Sequence, residues 1–267
     1  VKKIGMITGI GSFPKIFLEK AREKGIIVYP LALFDSVDEE IKKDKNYRFF
    51  NIGQIGKFIG FFLKEEIKEV IMLGKVEKEE IFKDIEKDSI YNLVMEKAPN
   101  KKDETLLMSV VAILKLNGIK ILPQNYLLEE YMTVEGCYTK TNSLPEDEKT
   151  IKIGIEGAKA LTKIDAAQTV VVKDGSIIAL EGIEGTDKTI ERAGNLAGKG
   201  CIIVKMARPK QDMRLDIPAI GINTLIKAKE IGAKGLVVEA NKMIFLEKDK
   251  VIEYANANNL FIKAIKA

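Results

Sequence analysis

The chain has 267 residues, which is enough for two domains that each bury a core of their own. Its 43 Lys and Arg residues and 39 Asp and Glu residues give a net charge of +4, and because the two signs are interleaved we predict no nucleic-acid partner. Histidine is absent, which excludes Ser-His-Asp and Cys-His catalysis and metal sites with imidazole ligands, so that any metal must be bound by oxygen atoms.

The first half of the chain alternates predicted strands and helices. A strand at "KKIGMITGIG", a helix at "SFPKIFLEKAREKG" and a strand at "IIVYPLAL" form a βαβ beginning. The alternation continues through "YRFFNI", "GQIGKFIGFFLKEE", "KEVIMLGKV", "DETLLMSVVAILKLNG" and "IKILP". We predict a Rossmann-like α/β domain with a parallel sheet over residues 1–141.

The second half predicts a different α/β domain. The polar segment 142–150 contains Pro145 and lacks periodicity, so we predict a linker there and a second domain over 151–267. A helix is predicted at "KIGIEGAKALTKID", and the Asp174-Gly175 pair that follows indicates a hairpin between "AQTVVVKDG" and "SIIALEG". Further strands are predicted at "GCIIVKMA", "GLVVEAN", "MIFLEKD" and "LFIKAI", with helices at "PAIGINTLIKAKEIG" and "KDKVIEYANANN". A hairpin combined with crossovers predicts a mixed sheet.

A glycine turn follows the first predicted strand. In "TGIGSFP", Gly9 and Gly11 precede a helix, where backbone N–H groups favour an anion or a nucleotide. Pro14 stands where the third glycine of a dinucleotide fingerprint would fall, so nucleotide binding and a plain tight turn both remain open, as does a Rossmann-type oxidoreductase. Lys75 follows another predicted strand at the edge where such sheets bind ligands, although a solvated lysine is the common alternative.

Two polar segments of the second half carry the residues of phosphoryl chemistry. In "EGTDKT", Thr186 and Asp187 precede a helix, which helix capping alone would also explain. The segment "KMARPKQDMRLDIP" follows a strand, is interrupted by proline, and combines cations for phosphate oxygens with carboxylates for a divalent metal. An ordered loop without a ligand is the alternative. The candidates in this segment are Lys205, Lys210, Gln211, Asp212, Arg214 and Asp216.

The ordered set of these motifs resembles the LpxI family of UDP-2,3-diacylglucosamine pyrophosphatases. The motifs are "KIGMITGIGSFP", "IGQIGK", "LGKV", "KDETLL", "QTVVVKDGSIIALEGIEGTDKTIERA" and "VKMARPKQDMRLDIPAIGINT", and the resemblance spans the chain. It implies a Rossmann-like N-terminal domain, a distinctive C-terminal α/β domain, and a lipid substrate held between them. It also implies hydrolysis of UDP-2,3-diacylglucosamine to UMP and 2,3-diacylglucosamine 1-phosphate, with water attacking the α-phosphorus and a divalent cation assisting.

The resemblance also implies roles for individual residues. The family's catalytic aspartate lies in an Arg-x-Asp-x-Pro segment, which here assigns the role to Asp216, and Asp187 resembles a second carboxylate of the metal or phosphate site. We predict Mg²⁺ or Mn²⁺ bound by Asp216, Asp187 and Asp212, with Lys205 and Arg214 as further catalytic residues. The residues expected to contact the substrate are Gly9, Gly11, Lys75, Thr186, Lys210, Gln211 and Thr224.

The expected partners follow from the substrate. A glycolipid nucleotide implies transient contact with the inner face of the cytoplasmic membrane, and the resemblance makes a homodimer plausible. No apolar run is long enough for a transmembrane helix and no signal-peptide pattern is seen, so we expect a cytoplasmic protein. Two alternatives stay open: a nucleotide- or lipid-binding protein without turnover, and a hydrolase of another nucleotide-linked glycolipid.

Overall fold

The computed structural model of the protein describes residues 1–75, 86–97 and 103–267, with the backbone alone at residues 97 and 103–107. The side chains of the "KDETLL" motif up to Leu107 therefore lie outside the described residues. The chain folds into two units: the first comprises Val1–Leu128 with Met213–Leu215, and the second comprises Glu129–Asp212 with Asp216–Ala267. No helix within the described ranges is both long enough and apolar enough to cross a bilayer.

The first unit is built on a parallel sheet with strand order β3-β2-β1-β4-β5. Its elements are β1 Lys3–Thr8, α1 Ser12–Glu23, β2 Ile27–Ala32, α2 Glu39–Lys42, β3 Arg48–Phe49, α3 Ile55–Lys64, β4 Glu69–Leu73, α4 Ser89–Lys97, α5 Asp103–Leu116 and β5 Lys120–Ile121. Strand β1 lies at the centre of the sheet, with β2 and then β3 on one side and β4 and then β5 on the other. The predicted Rossmann-like parallel sheet is confirmed.

Helix α3 shows why this part of the chain is helical and where it lies. Its apolar residues Ile55, Phe58, Ile59 and Phe62 recur at helical spacing and are all buried. They pack in the core of the first unit with Val70 of β4. Burial of each such side chain stabilises the fold by about 2 kcal/mol before the entropy of ordering is counted, so the sheet is covered by a firmly packed helix.

The second unit contains a mixed sheet with strand order β6-β11-β10-β9-β7-β8. Strands β9, β10 and β11 are parallel, whereas β6, β7 and β8 are antiparallel to their neighbours. After a short 3₁₀ turn at Glu129–Tyr131, the elements are β6 Gly136–Cys137, α6 Asp147–Lys163, β7 Thr169–Lys173, β8 Ser176–Leu180, α7 Thr186–Ala197, β9 Ile202–Lys205, α8 Ile222–Glu230, β10 Gly235–Glu239, α9 Lys248–Ala257 and β11 Phe261–Ile265. The predicted mixed sheet is confirmed.

The predicted hairpin joins β7 and β8. Asp174 and Gly175 both have positive φ, 46° and 76°, as a two-residue type I′ turn requires. Successive valines of β7 then contribute to cores on opposite faces of the sheet, with Val171 on one face and Val170 and Val172 on the other. The alternation explains why a run of three valines belongs to a strand that is covered on both sides.

The predicted strand "MIFLEKD" and the starts of two predicted helices differ from the structure, since α6 begins at Asp147 and α8 begins at Ile222. The segment "MIFLEKD" is not a strand: Ile244 forms isolated bridges with Met132 and Ala219, and a turn follows. Its apolar character reflects burial, since Met243, Ile244 and Phe245 are almost fully buried. Helix α6 begins at Asp147, earlier than predicted, because the Asp147 carboxylate accepts hydrogen bonds from Leu144 N and Lys234 Nζ. The Leu144 contact is local, whereas Lys234 lies 87 residues away and its contact leaves no local signal.

Candidate active site

The polar segment after β9 is an irregular loop whose beginning, in the second unit, is fixed by hydrogen bonds. Met206 N donates to Gln168 O (3.0 Å), and Ala207 N donates to a carboxylate oxygen of Glu239 (3.0 Å) at the end of β10. Because β9 and β10 are parallel, their carboxyl ends lie together at one edge of the sheet. The loop therefore starts from the sheet edge at which α/β folds commonly bind ligands.

Arg208 is the first charged residue of this loop, and its guanidinium lies between two carboxylates. Its Nε is 2.7 Å from Oδ1 of Asp165, and its Nη1 donates a hydrogen bond of 3.4 Å to Oδ2 of Asp216. Asp165 follows helix α6 in a left-handed conformation (φ 57°). One arginine thus joins the end of a helix to the carboxylate that the family resemblance makes catalytic.

The Gln211 side chain joins two parts of the loop, because it binds both Arg208 and Asp216. Its amide nitrogen donates to the backbone oxygen of Asp216 and to Asp216 Oδ2 (3.1 Å), while its amide oxygen accepts from Arg208 N (3.2 Å). Asp216 N in turn donates to Asp212 O (3.1 Å). Gln211, Asp212 and Asp216 are therefore brought together, and the Gln211 amide is engaged within the loop. Its predicted contact with substrate stays a prediction.

The Asp216 carboxylate is held in place but still reachable. With 59% of its side chain exposed, it faces solvent on one side while Arg208 and Gln211 bind it on the other. A carboxylate fixed by two donors and open to water can accept a hydrogen bond from a nucleophilic water or bind a cation. This geometry suits the chemistry that the resemblance assigns to Asp216.

A second polar cluster lies beside the end of β9, where Thr169 is the register partner of Lys205. The Glu181 carboxylate accepts hydrogen bonds from Gln168 N (3.1 Å), Thr169 N (2.8 Å) and the Thr186 hydroxyl (2.8 Å). The hydroxyls of Thr169 and Thr186 lie 3.3 Å apart. The single proton of Thr186 is therefore directed at Glu181, and this hydroxyl holds the first residue of α7 against β7.

We expect Glu181→Ala to lower the free energy of unfolding by about 2–3 kcal/mol, because the backbone donors of Gln168 and Thr169 lose their acceptor in a largely buried setting. Glu181→Gln is the matched control. Its amide oxygen can keep both backbone bonds while its amide nitrogen donates to Thr186, so a loss of less than about 1 kcal/mol is expected. Urea unfolding followed by circular dichroism compares the two variants, and equal losses would contradict the assigned role of the carboxylate.

Asp187 lies in the first turn of α7 and is exposed. The helix begins after Gly185, whose φ of 82° favours glycine at this position. The neighbouring Glu184 carboxylate accepts from its own backbone N–H and from Arg192 Nη2 (2.6 Å), and these bonds hold the pKa of Glu184 below its usual range. A carboxylate at the N-terminal turn complements the helix dipole, so capping remains sufficient to explain Asp187.

The predicted residues of the first unit lie at the turns after β1 and β4. Gly9 N donates to Leu73 O, and the backbones of Ile10 and Lys75 exchange two hydrogen bonds of 2.8 and 2.9 Å. A Cβ at Gly9 would lie 2.3 Å from Lys75 O, whereas a Cβ at Gly11 (φ 117°) would meet open space. Close backbone approach therefore accounts for Gly9 without a ligand, while Gly11 leaves room for one.

The remaining candidates lie on separate elements. Lys205 ends β9, Lys210 is exposed in the loop, and Thr224 is half-buried in the first turn of α8. Arg214 belongs with Met213 and Leu215 to the first unit, where Gln124 N donates to Met213 O and the Gln124 amide donates to Leu215 O. The contacts of these residues with a substrate stay predictions.

Sequence reasoning missed three residues of this site. In "ARPKQD" the prediction favours the lysines, although an arginine directly before proline after the predicted strand "GCIIVKMA" is a usable signal for Arg208. Glu181 stands in the motif "LEGIEGTD", but the prediction assigns the chemistry of this motif to Thr186 and Asp187. Asp165 had no local signal, because its role depends on the end of α6 lying beside the loop.

A relative of known activity and two family domain models match this chain along nearly its whole length. UDP-2,3-diacylglucosamine pyrophosphatase LpxI of Caulobacter vibrioides is 25% identical over 278 residues, which cover 99% of this chain and 98% of that protein. Among solved structures, the Bordetella bronchiseptica enzyme WbmH in complex with NAD⁺ matches 45% of this chain and 36% of its own, with 18% identity and a TM-score of 0.30. Residues 3–131 match the LpxI N-terminal domain and residues 134–263 match the LpxI C-terminal domain. Because these two matches span nearly the whole sequence, the chain belongs to the LpxI family.

Proposed function

We propose that the protein hydrolyses the pyrophosphate of UDP-2,3-diacylglucosamine, releasing UMP and 2,3-diacylglucosamine 1-phosphate. The observation that carries the proposal is the match of both LpxI domains in order, together with a relative of that activity aligned over almost the full length of both chains. The loop with Arg208, Gln211 and Asp216 supplies side chains that suit the reaction.

Asp216 is proposed to orient the water that attacks the α-phosphorus. Its carboxylate is exposed, so water can reach it, and two donors restrict the directions in which it can accept a hydrogen bond. A positioned carboxylate that accepts a proton from water typically accelerates a reaction by about 10²–10⁴-fold. The proton leaves the water as the new P–O bond forms and the bridging oxygen departs with the lipid phosphate.

Cations of the same segment are proposed to offset the charge of the pyrophosphate. Two linked phosphates repel a nucleophile, and Lys or Arg side chains reduce this repulsion by binding their oxygens. Lys205, Lys210 and Arg214 are the proposed contacts. Arg208, whose guanidinium lies beside the carboxylates of Asp165 and Asp216, is not among these contacts.

A divalent cation is proposed as the cofactor, and its fit can be judged from the oxygen donors of the loop. Among the described residues, no three Asp, Glu or Cys side chains cluster closely enough to hold a metal ion by themselves. Mg²⁺, however, is commonly held by one or two carboxylates with substrate phosphates and waters, and the exposed carboxylate of Asp216 fits that mode. Asp216, with Asp187 or Asp212, would hold it, and when bound it would withdraw charge from a phosphate oxygen.

The test is an incubation of the purified protein with UDP-2,3-diacylglucosamine in ¹⁸O-labelled water, with Mg²⁺, with Mn²⁺ and with a chelator. We expect release of UMP that carries the label, which identifies the α-phosphorus as the point of attack. Label in the lipid phosphate instead would contradict the position of attack. Absence of UMP release would reject the proposed activity and leave a binding protein or a hydrolase of another nucleotide-linked glycolipid.

Membrane contact, a cytoplasmic location and a homodimer are further parts of the proposal. A substrate with two acyl chains resides in a bilayer, so the protein is expected to reach the inner face of the cytoplasmic membrane transiently. Sedimentation with anionic vesicles at low and high salt tests the contact, since electrostatic binding weakens as ionic strength rises. Light scattering of the purified protein tests the homodimer.

A further inference from the structure

The Arg208 guanidinium lies beside two carboxylates of the second unit. Its Nε is 2.7 Å from Asp165 Oδ1 and its Nη1 is 3.4 Å from Asp216 Oδ2. The Asp165 contact is an ion pair in which the Nε–H is not aligned for a hydrogen bond, whereas Nη1 donates to Asp216. Because a guanidinium is planar and rigid, the charge of Asp165 at the Nε side limits the directions in which Nη1 can reach Asp216.

Asp165 is itself held by the end of helix α6. Asp165 N donates to Thr162 O (3.2 Å), and Ala166 N donates to Leu161 O (3.1 Å), which close the last turn of the helix. The residue has a positive φ of 57°, a conformation that aspartate tolerates better than most residues. The carboxylate of Asp165 is thus attached to a regular element, whereas Asp216 lies in an irregular loop.

We propose that Arg208, held by Asp165, is a positioning residue that fixes the Asp216 carboxylate for the reaction. The inference rests on the proposed function, because it assigns a role through Asp216. Gln211 completes the arrangement: its amide binds Asp216 Oδ2 from within the loop and its oxygen accepts from Arg208 N. The carboxylate then has one arginine and one amide that restrict its rotation, and neither of them is consumed in the reaction.

The exposure of these side chains allows a positioning role in catalysis to be distinguished from a role in folding stability. Asp165 is 68% exposed, Asp216 is 59% exposed and Arg208 is 36% exposed. Ion pairs that reach solvent to this degree contribute little to folding, so their loss should hardly move the unfolding transition. Displacement of a catalytic group by about 1 Å, in contrast, can lower turnover by roughly 100-fold. A large kinetic effect with an unchanged transition is therefore the signature of this role.

The experiment compares steady-state UMP release by the wild-type chain, Arg208→Gln, Asp165→Asn and Asp216→Asn, together with the double variants of Arg208→Gln with each aspartate change. We expect Arg208→Gln to lower kcat by roughly 10-fold to 100-fold with KM changed less than about threefold. Asp165→Asn should lower kcat less, and each double variant should be no slower than its slower parent, because the three residues act in series.

Arg22→Gln is the matched control. It removes another Arg–Asp ion pair, 2.7 Å between Arg22 Nη2 and Asp44, on a helix of the first unit, and should leave kcat and KM unchanged. Thermal unfolding of the Arg208, Asp165 and Asp216 variants should match the wild type within about 2 °C.

Three results would overturn the inference. A KM raised more than about 10-fold by Arg208→Gln with kcat retained would mean that Arg208 binds substrate directly. A further loss when Arg208→Gln is added to Asp216→Asn would mean that Arg208 does not act through Asp216. If Arg208→Gln had the kcat and KM of the wild type, Arg208 would have no positioning role in the reaction. Failure of the proposed function is distinguishable, because the wild-type chain itself would then release no UMP, and the positioning role would fall with it.

Discussion

Asp216→Asn is expected to lower the kcat for UMP release by roughly 100-fold or more, equivalent to at least about 2.7 kcal/mol of transition-state stabilisation. The amide keeps the shape of the carboxylate but cannot accept a proton from water and binds a cation poorly. Gln211 and Arg208 donate to Oδ2, and Asn can offer its amide oxygen to these donors. The exposed side chain contributes little to packing, so the folded structure should persist.

The measurement is kcat and KM for UDP-2,3-diacylglucosamine at saturating Mg²⁺, with circular dichroism to confirm folding. Asp249→Asn serves as the control, because Asp249 is also an exposed aspartate of the second unit, in the first turn of α9, and should leave turnover unchanged. Turnover of Asp216→Asn within about threefold of the wild type would remove Asp216 from the reaction. Loss of the helical signal would instead identify a structural role.

Local patterns were sufficient for most of the fold. Alternating strand and helix patterns predicted the parallel sheet of the first unit, and Asp174-Gly175 predicted a hairpin because both residues adopt the positive φ of its turn. Such features depend on a few neighbouring residues. The segment "MIFLEKD" shows where the approach fails, since its apolar residues are buried by bridges to Met132 and Ala219 that lie elsewhere in the sequence.

The candidate site was predictable in its chemistry and less so in its contacts. Charge and proline in "KMARPKQDMRLDIP" identified a polar loop after a strand, which the structure shows. That the Gln211 amide would turn inward to Asp216, and that Asp165 would reach Arg208 from helix α6, could not be predicted. Both depend on how a loop folds back on itself and on an element distant in sequence.

We also expect a large stability effect at the turns after β1 and β4. Gly9→Ala should lower the free energy of unfolding by about 2–3 kcal/mol, because the new Cβ would lie 2.3 Å from Lys75 O and one backbone must move. That movement would lengthen the hydrogen bond from Gly9 N to Leu73 O and the two bonds between Ile10 and Lys75. The backbone at Gly74 cannot easily move to make room, since a Cβ added at Gly74 would itself lie 2.7 Å from the Gly9 carbonyl carbon.

Native-state hydrogen exchange of β1 and β4 is the measurement, because it reports opening of these strands. Gly60→Ala is the matched control in helix α3, where a Cβ meets nothing within 4 Å and alanine should stabilise the helix by about 1 kcal/mol. Faster exchange in Gly9→Ala with slower exchange in Gly60→Ala would show that Gly9 is required by backbone contact. Unchanged exchange in Gly9→Ala with weaker substrate binding would assign the glycine to the nucleotide instead, so this pair of variants decides between the two interpretations that the sequence left open.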